Sequence, residues 1–210
     1  IIIGGVLGSE ILGIYHFSKK LLKYIIKLIN KPISEVGYPL LTKMTSNHNH
    51  FNRIYTKIIK MIGSITIPAY IGIAITARLF VPLFFGSKWK EAIPLMIILS
   101  LWGAFHSLQS GVISSALYSF GRSDWMLYAT MIDLPIRAGV FYVVAPFGIE
   151  YIGFALGFVV IIKFFLYQLV LKILTDIKLI DIISEMKFIF LSSFLMIITL
   201  FVFQNIINLD

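Results

Sequence analysis

An all-α fold, a polytopic membrane bundle of about six transmembrane helices behind a truncated N-terminal stub, is what the sequence predicts, and three observations carry that prediction. Of the 210 residues, 59% are hydrophobic and 13% are charged, well outside the composition of a soluble domain. Apolar runs of roughly 20 residues, the length that crosses a bilayer, recur along the chain. Glycine, proline and charge clusters separate the runs. The composition excludes a water-soluble globular enzyme. With no cysteine in the chain, disulfides and thiolate metal sites are excluded as well. The sequence opens on Ile1 in an apolar stretch, without Met or the charged start of a signal peptide, so the numbering is expected to begin inside a longer protein.

Ile1 to Leu7 reads as the tail of a helix that ends before Gly8, Ser9 and Glu10. A long helix follows from about Ile14 to Met44, in which Pro32 and Pro39 are expected to introduce bends. Thr45 to Asn52 is a polar closing stretch that includes His48 and His50, read as a solvated loop in preference to a metal site. The next helix begins amphipathically near Arg53, becomes a span from Met61 to Phe85 and stops at Gly86, Ser87 and Lys88. Trp89 to Phe120 ends at Gly121 and Arg122. Trp125 to Ala145 and Tyr151 to Leu174 are separated by Pro146 to Glu150. A mixed-charge amphipathic segment then leads into a last span, Met186 to Ile207. The expected division is a transmembrane bundle over residues 1–175 and a linker with an additional terminal helix over residues 176–210.

Short connections make consecutive helices antiparallel and sort the loops onto two sides. Lys43, Arg53, Lys57, Lys60, Arg122, Lys172, Lys178 and Lys187 fall on one side, against Lys88 and Lys90 on the other. The positive-inside rule puts the first group in the cytoplasm and Glu10, Glu91, Glu150 and Asp210 outside. No Asn-x-Ser/Thr acceptor occurs, which agrees with a bacterial inner membrane.

The remaining basic residues lie on the helices, where charge defaults to function. At 100° per residue Lys19, Lys23, Lys27 and Lys31 advance by about 40° per step and form a stripe about 18 Å long. His16, Lys20, Asn30 and Ser34 share its sector, while Leu21, Leu22, Ile25, Ile26, Leu28, Ile29 and Ile33 occupy the opposite side. Two readings stand. The helix lies on the membrane surface with its lysines among headgroups, or it lines a water-filled cavity that attracts an anion, phosphate being the natural one at a membrane. Its length, about 45 Å, suits a span.

Asp133 and Arg137 stand at i and i+4, the spacing of a structural ion pair or of a gating or proton-coupled pair. Lys163 lies midway along its span, and the sequence identifies no partner for it. Arg78 is placed to snorkel. Gly103, Ser107, Ser110, Gly111 and Ser114 share a narrow face with His106 and Ser100 at its borders, which suits close packing or a hydroxyl-lined cavity. Gly153 and Gly157 form a GxxxG packing signal. No Walker loop, nucleophile elbow, HExxH or DxD is present, so no catalytic residue, metal or cofactor is expected, and transport or scaffolding remains.

Several motifs carry a family resemblance in order. They are Leu7-Gly8-Ser9-Glu10-Ile11-Leu12-Gly13-Ile14-Tyr15, Pro32-Ile33-Ser34 with Tyr38-Pro39-Leu40, Pro82-Leu83-Phe84-Phe85-Gly86-Ser87-Lys88-Trp89 with Ala92 and Pro94, Phe120-Gly121-Arg122, and Gly148 with Gly153-Phe154-Ala155. Between about Gly8 and Asp176 the chain resembles the C-terminal half of polysaccharide flippases, of the O-antigen or colanic-acid type, in the multidrug/oligosaccharidyl-lipid/polysaccharide exporter superfamily. The resemblance implies the second of two six-helix bundles around a central cavity. It also implies transport of undecaprenyl-pyrophosphate-linked oligosaccharide across the bacterial inner membrane by alternating access, with membrane lipids and polysaccharide polymerase or other assembly proteins as partners and no nucleic acid. By position, Lys19, Lys20, Lys23, Lys27 and Lys31 take the pyrophosphate-binding role, while Asp133, Arg137 and Lys163 are, from their own placement on the helices, the candidates for gating or coupling. A drug or cation antiporter of the same superfamily, and a scaffold subunit of a polysaccharide-assembly complex, are the alternatives.

Overall fold

The computed structural model describes residues 2–207, and of these the side chains of 5, 8–24 and 26–203. Asp210, expected to face outward, lies outside the described residues. Helix α1 spans Ile2–Lys43, α2 His48–Phe85, α3 Ile93–Leu108, α4 Ser114–Ser119, α5 Ser123–Val144, α6 Ile149–Thr175 and α7 Leu179–Ile207. A 3-10 turn at Ser87–Ala92 leads into α3, and a π-helical turn at Gln109–Ile113 carries α3 into α4. No strand occurs among the described residues. Among the described residues, five helical stretches are long and apolar enough to cross a membrane: His48–Phe85, Ser87–Ser119, Ser123–Phe147, Ile149–Thr175 and Leu179–Phe203. The sixth expected span, in α1, is long enough, but its lysines keep it from being apolar enough.

The punctuation has local causes. Gly8 adopts φ 89°, ψ 168°, breaking α1 where the stub was expected to end. The following helix resumes directly after Gly8 and continues through Pro32 and Pro39. Asn47 caps α2, its side-chain oxygen accepting from the His50 amide at 3.1 Å. The helix thus starts at His48, so His48 and His50 sit on its exposed first turn and not in a loop. Gly86, Gly121 and Gly148 take positive φ at the turns, where a Cβ would be strained. Asp176 closes α6 in a left-handed conformation, its amide donating to the Lys172 carbonyl at 2.9 Å. The segment expected as a linker before Met186 is instead the first two turns of α7.

Packing joins the connections in two layers. On one side, the Asn52 amide donates to the Thr175 carbonyl at 2.7 Å, the Phe51 and Phe120 rings lie 4.7 Å apart, and Lys60 pairs with Glu185 at 3.0 Å. The three expected cytoplasmic connections therefore meet. Leu41, Tyr55, Ile59, Leu117, Leu171 and Ile182 bury the core beneath them. On the other side Tyr15, Leu95, Ala145 and Ile152 form a second core, with Phe17 stacked on Trp89 at 4.0 Å. Glycines set the close approaches. Gly103 receives the Tyr70 ring, Gly153 the side chains of Leu95 and Ile98, and Gly157 the Trp102 indole. Both small-residue signals thus mark helix packing.

Candidate functional site

Helix α1 buries the side opposite its lysines only in part: Leu22 is buried, Leu21, Ile26, Ile29 and Ile33 are half-buried, and Leu28 stays 75% exposed. Its buried positions include Tyr15, Ser18, Leu22, Asn30, Gly37 and Leu41, drawn from both the lysine sector and the aliphatic side. Polar bonds fix α1 against the α3–α4 rod. Asn30 donates to the Ser107 carbonyl at 2.7 Å and to Ser110 Oγ at 3.1 Å, and accepts from Ser107 Oγ at 2.9 Å. Ser34 donates to the Gly111 carbonyl at 2.9 Å. These bonds straddle the π-helical turn, where the backbone ladder is shifted and carbonyls can accept from outside.

The lysines are left facing a cavity of about 460 Å³. Lys19, Lys23 and Lys27 line it from α1, Tyr70 from α2, Trp102 and His106 from α3, Arg137 from α5, and Leu156, Gly157 and Val160 from α6. Among the described residues, no carboxylate lines it. Lys19 donates to the Tyr15 hydroxyl at 3.3 Å and lies 5.3 Å from that ring's centre. Lys23 and Lys27 have no ion-pair partner among the described residues. Four cations around mostly apolar walls make a field that draws an anion, and a low local dielectric strengthens it. Trp102 Nε1 and His106 Nδ1, both buried, have no hydrogen-bond partner among the described residues.

Lys20 and Lys31 do not line this cavity. Lys20 is exposed. Lys31 pairs with Glu35 at 3.8 Å and lines a second groove, about 630 Å³, farther along α1. That groove is hydroxyl-rich, with Ser34, Tyr38, Ser115, Tyr118 and Ser123 in its walls.

Lys163, whose partner the sequence did not identify, faces Asp133 Oδ1 at 3.2 Å. Arg137 Nε donates to Asp133 Oδ2 at 2.7 Å. One carboxylate thus bridges two cations across the α5–α6 seam, with side-chain exposures of 13% for Asp133, 25% for Arg137 and 21% for Lys163. The i,i+4 spacing made the Asp133–Arg137 pair readable. Neither the Lys163 contact nor the meeting of Arg137, Trp102 and Tyr70 with the lysines has a signal within one helix, because each depends on how separate helices pack.

Fold and site define a polytopic membrane bundle with a cationic internal cavity. Residues 1–94 match the profile of a family described as polysaccharide biosynthesis protein. The teichuronic acid biosynthesis protein TuaB of Bacillus subtilis is 27% identical over 128 residues, which are 61% of this chain and 26% of TuaB. The lipopolysaccharide biosynthesis protein WzxC of Escherichia coli is 27% identical over 124 residues, 59% of this chain and 25% of WzxC. A membrane protein in the cps region of Klebsiella pneumoniae is 26% identical over 159 residues, 76% of this chain and 32% of that protein. The chain therefore spans about a quarter to a third of the length of these relatives. No solved structure matches it. These matches agree with the family that the motifs resemble, and the helices long and apolar enough to cross a membrane mark a multi-pass membrane protein.

Proposed function

We propose that this chain supplies one bundle of a flippase that carries undecaprenyl-pyrophosphate-linked oligosaccharide from the cytoplasmic to the outer leaflet. The observation that carries this reading is the convergence of Lys19, Lys23, Lys27 and Arg137 on one cavity that, among the described residues, no carboxylate lines. The lysines hold the pyrophosphate through charge-assisted hydrogen bonds. Several ammonium groups share the charge, so no single contact is strong enough to prevent release. The sugars extend along the hydroxyl-rich groove, and the polyprenyl tail stays in lipid, which avoids desolvating it. Rocking against a second bundle exposes the cavity to each side in turn, and the Asp133–Arg137–Lys163 cluster is the candidate gating or coupling element. The role needs no covalent chemistry, so the protein is proposed to be a transporter and not an enzyme.

The rival readings have less to rest on. A cation antiporter calls for an acidic cavity, whereas cations line this one. A scaffold with α1 on the membrane surface would leave that helix unpacked, yet α1 is bonded to the α3–α4 rod through Asn30 and Ser34.

Replacing Lys23 and Lys27 together by Gln in the complete protein should lower flipping of the lipid-linked oligosaccharide by roughly tenfold or more, since each lost charge contact weakens binding and transport together. Normal flux at normal expression would overturn the proposal.

A further inference from the structure

Arg137 approaches the cavity from α5, a different helix from the lysines of α1, and it differs from them in being held by a carboxylate. Its Nε is spent on Asp133 Oδ2 at 2.7 Å. Its two Nη groups take part in none of the hydrogen bonds among the described residues, and the side chain lines the cavity. Asp133 would ordinarily neutralise its neighbour and repel an approaching anion. Here its other oxygen, Oδ1, faces Lys163 Nζ at 3.2 Å, so two cations share one carboxylate and the cluster keeps a net positive charge.

We infer that Arg137 is an anion ligand on the α5 wall of the cavity, and that Lys163 is a positioning residue that acts through Asp133 to keep the Arg137 fork cationic. Fixing Nε aims both Nη groups together, the geometry for a bidentate contact to phosphate oxygens that a lysine cannot make. With lysines on α1 and the fork on α5, a bound anion touches two separate helices, so its binding is sensitive to their separation. This inference rests on the reading of the cavity as an anion site, and it names α5 and α6 as parts of that site.

The test is equilibrium binding of radiolabelled inorganic pyrophosphate to the complete protein in nanodiscs. Arg137→Lys, which keeps the charge and loses the fork, should weaken binding about tenfold, one charge-assisted contact's worth. Lys163→Gln, which leaves Asp133 to neutralise Arg137, should weaken it by a similar factor, while Lys163→Arg should bind as the parent does. Asp133→Asn combined with Lys163→Gln restores the cluster's net charge and should recover binding to within about threefold of the parent. A purely structural role for Lys163 would make that double variant no better than Lys163→Gln alone. Parental binding in Arg137→Lys or Lys163→Gln, or a double variant without recovery, overturns the inference. If Lys23→Gln with Lys27→Gln abolishes binding while Arg137→Lys leaves it intact, the anion site survives and only the role of Arg137 falls. Failure of the parent protein to bind pyrophosphate overturns both. Should Lys163→Gln fail to fold, Arg137→Lys and the double variant still decide the matter.

Discussion

At the scale of single residues, the cavity owes its shape to glycine as much as to lysine. Trp102 seats its indole over Gly157, where a Cβ would run into the ring. The indole is rigid, so the collision must be relieved by moving α3 from α6 or by turning Trp102 into the cavity. Gly157→Ala should therefore destabilise the protein by about 1–3 kcal/mol, the usual cost of overpacking, and lower its melting temperature in detergent. An unchanged melting temperature would show that Trp102 has another place to go. Gly153, one turn away, meets aliphatic Leu95 and Ile98 instead, so the two halves of the GxxxG pair serve different purposes. One closes the outer core and the other sets the wall of the site.

At the scale of elements, α7 docks on α2 through a contact that sequence periodicity does not reveal. A Cβ on Gly63 would come 2.6 Å from Met186 Cε, the free end of a flexible side chain. Alanine there should be accommodated by a methionine rotamer change, whereas Gly63→Phe should push α7 away. The exposed Lys60–Glu185 pair crosses the same seam at 3.0 Å but adds little stability, since solvent screens it. Its positions are better used as reporters. Because the chain has no cysteine, Lys60→Cys with Glu185→Cys gives a clean pair for a bifunctional thiol cross-linker long enough to replace the two side chains. Cross-linking should persist with Gly63→Ala and be lost with Gly63→Phe. Persistence in both would mean that α7 is held elsewhere.

At the scale of the whole molecule, alternating access predicts that the lysine lane is exposed to the two sides of the membrane in different states. Single cysteines at positions 19, 23 and 27 should be labelled by membrane-impermeant thiol reagents from one side at a time, with substrate changing which side. Labelling at position 20, outside the cavity, should not follow the same switch. A lane labelled from one side only, whatever the substrate, would fit a scaffold better than a transporter.

The sequence by itself determined the all-α membrane class, the breaks at Gly8, Gly86, Gly121 and Gly148, and the sorting of connections onto two sides. The reason is that bilayer thickness, backbone satisfaction and glycine turns act locally or through composition. It also placed Lys19, Lys23 and Lys27 on one stripe and joined Asp133 to Arg137, because helical periodicity makes neighbours along one helix computable. Tertiary structure alone decided which positions of α1 are buried, that Lys31 lies outside the main cavity, and that Lys163 reaches Asp133. Each of these depends on which faces of separate helices meet. Periodicity fixes what shares a face of one helix, but only packing fixes what that face meets.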